Sequence, residues 1–174
     1  VEPYLEKLIA YKNPNNIVTN TAVGGTVASD WTLYDCTATV GTHYGHDSVY
    51  EMVVAGTSTE DDVYMKQDNI MITDTTYQIS FDYYIPSGNT NVNAMDLRVS
   101  GSADDAQVDM ASVIDAWTNH SFSYHAPADG THDNIHIWLQ NTSSGSNSLT
   151  VGDKLYIKNI QAIETTHYEL KPSG

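Results

Sequence analysis

The chain has one cysteine, Cys36, in 174 residues, so no disulfide can form within it and packing alone must hold the fold. Cations are scarce as well. Seven Lys and Arg stand against 22 Asp and Glu, a formal charge of -15, which repels nucleic acid and anionic membrane. No apolar run approaches the ~18 residues of a membrane span, and the first residues lack the charged, apolar and small-residue order of a signal peptide.

Signals of catalysis are also missing. No Gly-x-Ser-x-Gly turn is present to strain and expose a serine nucleophile, and Cys36 has no electropositive neighbours to activate its thiol. Asp and Glu are abundant, yet no pair sits in a recognisable glycosidase arrangement. His43, His46 and Asp47 form a His-x-x-His-Asp string without the third and fourth ligands of a closed metal site. Glu60-Asp61-Asp62 and Asp104-Asp105 are acidic clusters without the spaced ligands of a calcium loop. The expectation is a protein that is not an enzyme.

What the chain does contain is short segments rich in Val, Ile, Thr and Tyr, set apart by Gly, Asn, Asp and Ser clusters. That text predicts antiparallel strands near residues 16–20, 31–40, 48–54, 63–72, 76–85, 94–100, 107–113, 117–125, 134–140 and 154–164. So many strands in one domain-sized chain predict an all-β fold, a two-sheet antiparallel β-sandwich of jelly-roll type spanning residues 15–167. Residues 1–14 read as a short helical or extended arm whose Tyr4, Leu5, Leu8 and Ile9 would be partner contacts if it docks on a neighbouring subunit. Residues 168–174 form a C-terminal tail.

Three passages resemble the carbohydrate-binding modules attached to xylanases and glucanases, which have a galactose-binding-like jelly-roll fold. The first is Asn16-Ile-Val-Thr-Asn20 followed by Asp30-Trp31-Thr-Leu. The second is Thr76-Tyr77-Gln-Ile-Ser-Phe81-Asp-Tyr83. The third runs from Ala116-Trp117 through Phe122, Tyr124, Pro127 and Asp129, then Asn134-Ile-His-Ile-Trp138-Leu, and ends in Asp153-Lys-Leu-Tyr156-Ile-Lys-Asn159-Ile160. The resemblance implies a non-catalytic module that binds polysaccharide or surface glycan. In many members an acidic residue of the opening segment and an Asp of the last strand help hold a structural calcium. Here Asn20-Thr-Ala-Val-Gly24 and Lys158 stand at those places, and an ammonium repels a divalent cation, so the expectation is no cofactor, with a structural calcium as the alternative.

Alternation along the strands sorts side chains into inward and outward sets. Ile79, Phe81, Tyr83, Ile85, Leu97, Val99, Ile135, Ile137 and Leu139 are expected in the core. Asp82, Tyr84, Arg98, His136, Trp138 and Gln140 are expected together on one outward face. A sugar ring has an apolar C–H face that stacks on aromatic planes and a hydroxyl rim that needs Asp, Arg or Gln, so these six are the candidate carbohydrate-binding residues. Trp31 and Trp117 are expected in core or rim packing. The functional expectation is an extracellular or virion-surface adhesion module of a larger enzyme or particle. The alternative is a structural decoration or fibre protein of a virus particle or surface layer, anchored through the arm to other protein subunits.

Overall fold

A computed structural model of the chain describes residues 16–18, 30–56, 63–90, 94–99, 108–111, 114–130, 134–138 and 149–165, with 94–99, 108–111 and 138 described by their backbone. The proposed arm, with Tyr4, Leu5, Leu8 and Ile9, the tail, Gln140 and both acidic clusters lie outside these residues.

The described residues form ten strands and no helix: β1 Thr32–Tyr34, β2 Cys36–His43, β3 His46–Val54, β4 Tyr64–Gln67, β5 Thr75–Tyr84, β6 Ala94–Val99, β7 Val108–Ala111, β8 Thr118–Ala126, β9 Ile135–Trp138 and β10 Lys154–Glu164. They assemble into two antiparallel sheets, in the orders β1-β4-β9-β6-β7 and β2-β3-β10-β5-β8. The all-β two-sheet sandwich read from the strand pattern is therefore what forms.

Period-two alternation supplies the core. On β5, Tyr77, Ile79, Phe81 and Tyr83 are buried, and Ile85 continues the row just after the strand; Met65, Ile135 and Ile137 meet them from the other sheet. Trp31 is buried in the same cluster, as expected. On β10 the core row is Leu155 and Ile157, then Ile160 and Ala162. The parity changes because the register with β5 shifts between Lys158 and Gln161, where Asn159 adopts φ 54°. A bulge of this kind puts one extra residue into the strand and re-aims the side chains beyond it.

One predicted strand proves to be two. Residues 31–40 break at Asp35, φ 46°, and the chain passes from one sheet to the other across that residue. The Asp35 carbonyl accepts from the N–H groups of Ala55 and Gly56 at 2.9 and 3.2 Å, which holds the turn although L-residues disfavour it. Of the first predicted strand only residues 16–18 are described, and Asn16 there forms an isolated bridge with Ile163. There the Asn16 side chain accepts from the Ala162 N–H at 2.9 Å and donates to the Ile160 carbonyl at 3.0 Å.

Candidate functional site

The sheet with order β2-β3-β10-β5-β8 carries a row of residues across its outer face. Register places Glu51 of β3 opposite Tyr156 of β10, and Tyr156 opposite Tyr84 of β5. Trp117, just ahead of β8, completes the row with its ring 5.6 Å from that of Tyr84. One step along, Lys158 pairs with Asp82, and Asp82 with Asn119. Val49, Tyr84 and Tyr156, with Trp117 against them, form a second small apolar cluster separate from the main core.

The β2–β3 hairpin folds over this row. Its two-residue turn, Tyr44-Gly45, has φ 48° and 81°, the pattern of a type I′ turn whose twist suits a tight hairpin. Glycine adopts that φ freely, whereas Tyr44 does so at a cost. The register shift between Gly41 and His43 bends the same hairpin. The Tyr44 ring stacks on Tyr84 at 3.9 Å and 22° and meets Tyr156 edge-on at 5.0 Å. Tyr44 remains 48% exposed, and Tyr84 is reduced to 8%.

Polar groups frame the rings. Glu51 accepts from Lys154 Nζ at 2.5 Å and from the Tyr156 hydroxyl at 3.2 Å, and lies 3.5 Å from His43. Burial pushes the Glu51 carboxyl up, but Lys154, the Tyr156 hydroxyl and His43 together outweigh it and hold the carboxyl below the ordinary carboxylate value. Burial and the Glu51 charge raise the Tyr156 phenol, which stays protonated. Asp82 accepts from the side-chain amides of Asn119 and Asn159, each at 2.7 Å. The Lys158 ammonium sits 4.5 Å over the Trp117 ring and 4.0 Å from Asp82, a cation–π arrangement. The buried Trp117 indole N–H has no acceptor among the described residues.

The neighbouring loop is tied to the rim of this face. Asn89 and Lys154 exchange bonds, the Asn89 amide donating to the Lys154 carbonyl at 2.8 Å and its oxygen accepting from the Lys154 N–H at 2.7 Å. The buried Asp153 accepts from the Thr90 N–H at 2.8 Å, and Asp115 accepts from the Ser87 N–H at 2.9 Å and the Tyr84 hydroxyl at 3.3 Å.

Of the six residues expected on one face, the five that are described divide between the two sheets, and Gln140 lies outside the described residues. Asp82 and Tyr84 stand on the outer face just described. Arg98 and His136 are register partners in the other sheet, and Trp138 pairs with Tyr64 there. The two groups belong to different sheets, because β5 lies in one and β6 and β9 in the other. Alternation distinguishes inward from outward, but a sandwich has two outward sides.

His136 is also no open contact. It is 7% exposed, with its ring parallel to Tyr64 at 5.5 Å, and Tyr64 stacks in turn on Tyr34 at 5.3 Å. Burial, then the nearby Lys66, push its imidazole down to about 4.

Tyr44, Tyr156, Glu51 and Lys154 were missed from the sequence. Tyr156 and Glu51 could have been found from outward parity, but Tyr44 lies in a turn, where alternation gives no signal. Trp117, assigned to packing, packs within this site.

The Lys158 ammonium is held between the Trp117 ring and Asp82. Among the described residues, no group of three or more His, Cys, Asp or Glu side chains is placed to hold a metal.

The family described as "Carbohydrate binding domain" matches residues 15–147. No curated protein matches the chain. Among solved structures, the fold is similar to "Family 16 Carbohydrate Binding Module-2" at 19% identity and TM-score 0.54, covering 86% of this chain and 100% of that one. It is also similar to the CBM22-1 xylan-binding domain of Paenibacillus barcinonensis Xyn10C, at 14% identity and TM-score 0.56, with coverage of 91% and 100%. A third likeness is to "CBM4 structure and function", at 16% identity and TM-score 0.51, covering 78% and 95%. At these identities the likeness is one of fold.

Proposed function

The chain belongs to the carbohydrate-binding domain family, and on that premise we propose that the outer face of the β2-β3-β10-β5-β8 sheet binds glycan. The observation that carries this reading is the half-exposed Tyr44 ring held over Tyr84 and Tyr156, with Trp117 beside them. Aromatic planes suit the C–H face of a pyranose, and polar groups around them suit its hydroxyls.

The frame has both kinds of partner. Glu51 and Asp82 accept, and Lys154, Lys158, Asn119 and Asn159 donate. Two of the chain's seven cations lie on this face, which favours the electron-rich oxygens of a neutral or acidic polysaccharide despite the chain's net charge. Nothing in the site requires a reacting group, in keeping with a family that is normally non-catalytic. A module of this kind would hold whatever it is joined to on polysaccharide.

The test is a glycan array, with xylan included because one structural relative is a xylan-binding domain, followed by titration calorimetry on the best ligand. Tyr44→Ala should weaken binding about tenfold, the worth of one aromatic stacking partner, and Trp138→Ala in the opposite sheet should leave it unchanged. A wild-type protein that binds no glycan would end the proposal. Loss of binding in Trp138→Ala with Tyr44→Ala unaffected would move the site to the other sheet.

A further inference from the structure

Around Glu51 one carboxylate is shared by two basic side chains. Its Oε1 accepts from Lys154 Nζ at 2.5 Å and from the Tyr156 hydroxyl at 3.2 Å, and its Oε2 faces His43 Nε2 at 3.5 Å. The basic groups are the more open members: the Lys154 side chain is 40% exposed and that of His43 25%, against 16% for Glu51. Tyr156 links this cluster to the stacked rings, since its own ring meets His43 at 4.9 Å and Tyr44 at 5.0 Å.

One carboxylate can balance only one cation. With Lys154 bound to Glu51, a proton taken up by His43 leaves the cluster with a surplus positive charge. Among the described residues His43 has an ion-pair contact only with Glu51, and the other carboxylates near the face are engaged elsewhere. Asp82 holds Lys158, Asn119 and Asn159, Asp115 accepts from the Ser87 N–H and the Tyr84 hydroxyl, and Asp47, on the same hairpin as His43, accepts from the Thr42 hydroxyl at 2.6 Å. His46, the register partner of His43, sits edge-on to Trp117 at 5.3 Å.

Resting on the reading of this face as a glycan site, we propose that the glycan it takes carries carboxylates, as uronic acid residues do, and that Lys154 and His43 together receive one of them, more tightly once His43 is protonated. Histidine is the side chain whose charge changes between about pH 5 and pH 8, whereas a sugar carboxylate, with an ordinary value of about 4, stays ionised over that range. Glu51 fixes both basic groups beside the rings and cancels one of their two charges. A neutral glycan of the same backbone meets the same rings without a charge for the surplus cation, so its affinity changes far less with pH. The chain's -15 opposes an acidic glycan at long range, but at ~0.15 M salt fields decay over about 8 Å, and the groups in contact decide.

The test is calorimetric titration with oligosaccharides of glucuronoxylan, polygalacturonate and alginate, each beside its carboxyl-reduced form, at about pH 5.5 and about pH 8, with circular dichroism to verify folding at both. For at least one pair the ratio of acidic to reduced affinity should rise about threefold on acidification, the worth of one partly exposed charge pair. His43→Gln should flatten that rise, and His46→Gln should keep it. Lys154→Met should lower the ratio at both pH values, and Lys154→Arg should restore it. A wild-type ratio that does not move with pH overturns the proposal, as does a His43→Gln variant with the wild type's pH dependence, or a protein that binds none of the acidic forms. Acidic and reduced forms bound equally at both pH values, with Tyr44→Ala weakening both, would end the uronate preference and leave the glycan face standing. Binding indifferent to Tyr44→Ala would end the glycan face, and this proposal with it.

Discussion

Acidification should destabilise the fold through His136 before most carboxylates titrate. Its imidazole falls from 6.5 to about 4 on folding, first because burial disfavours the charged ring and then because Lys66 repels it. The unfolded chain therefore takes up a proton that the folded chain refuses. Above pH 6.5 both states hold His136 neutral and its full contribution to stability is present; the contribution is lost as pH falls from 6.5 toward 4.

A shift of this size corresponds to about 3 kcal/mol, a large share of the ~5–15 kcal/mol that holds a typical domain. About half should be gone near pH ~5.2. Urea unfolding measured at pH 7, 5.2 and 4.2 would give the slope, and His136→Phe isolates this residue by keeping a ring beside Tyr64 while removing the titration. The variant should lose less stability than the wild type over that range. Equal losses in the two proteins would refute the reasoning and place the acid sensitivity among the carboxylates.

The packing supports two further predictions. Asn89→Ala removes the reciprocal pair of bonds to the Lys154 backbone and should cost about 1–3 kcal/mol, with faster hydrogen exchange over residues 86–90; unchanged exchange would mean that Asp153 and Asp115 hold the loop by themselves. Burial raises the Cys36 thiol to about 11, with Sγ against the Tyr64 carbonyl at 3.2 Å, so an aromatic disulfide reagent at pH 8 should leave the native protein unlabelled and react once urea unfolds it; labelling of the native protein at the rate of a free thiol would contradict that burial.

Much of the fold was legible in one dimension because the relevant physics is local. Strands β5, β8 and β10 appear within one or two residues of their predicted bounds, since a half-buried strand must alternate and its ends are marked by turn-forming residues. The inward rows of β5 and β9 were likewise readable as Ile79, Phe81, Tyr83, Ile135 and Ile137. The break at Asp35 was not. Nothing in Tyr34-Asp35-Cys36 announces that one residue will adopt φ 46°; the carbonyl that Ala55 and Gly56 bond to exists as an acceptor there only once the sheets have assembled.

The candidate site divides along the same line. Sequence alone determined that the chain is all-β, that Asp82, Tyr84, His136 and Trp138 alternate out of phase with the core, and that Lys158 replaces the acidic residue of the family pattern. Tertiary structure decided which sheet each strand joins, and so separated Asp82 and Tyr84 from Arg98, His136 and Trp138. It also brought Tyr44, from a turn 40 residues away in sequence, to within 3.9 Å of Tyr84. Alternation has a period of two residues and can say only whether a side chain faces the core. The choice between two outer faces depends on long-range strand pairing, which no local pattern encodes.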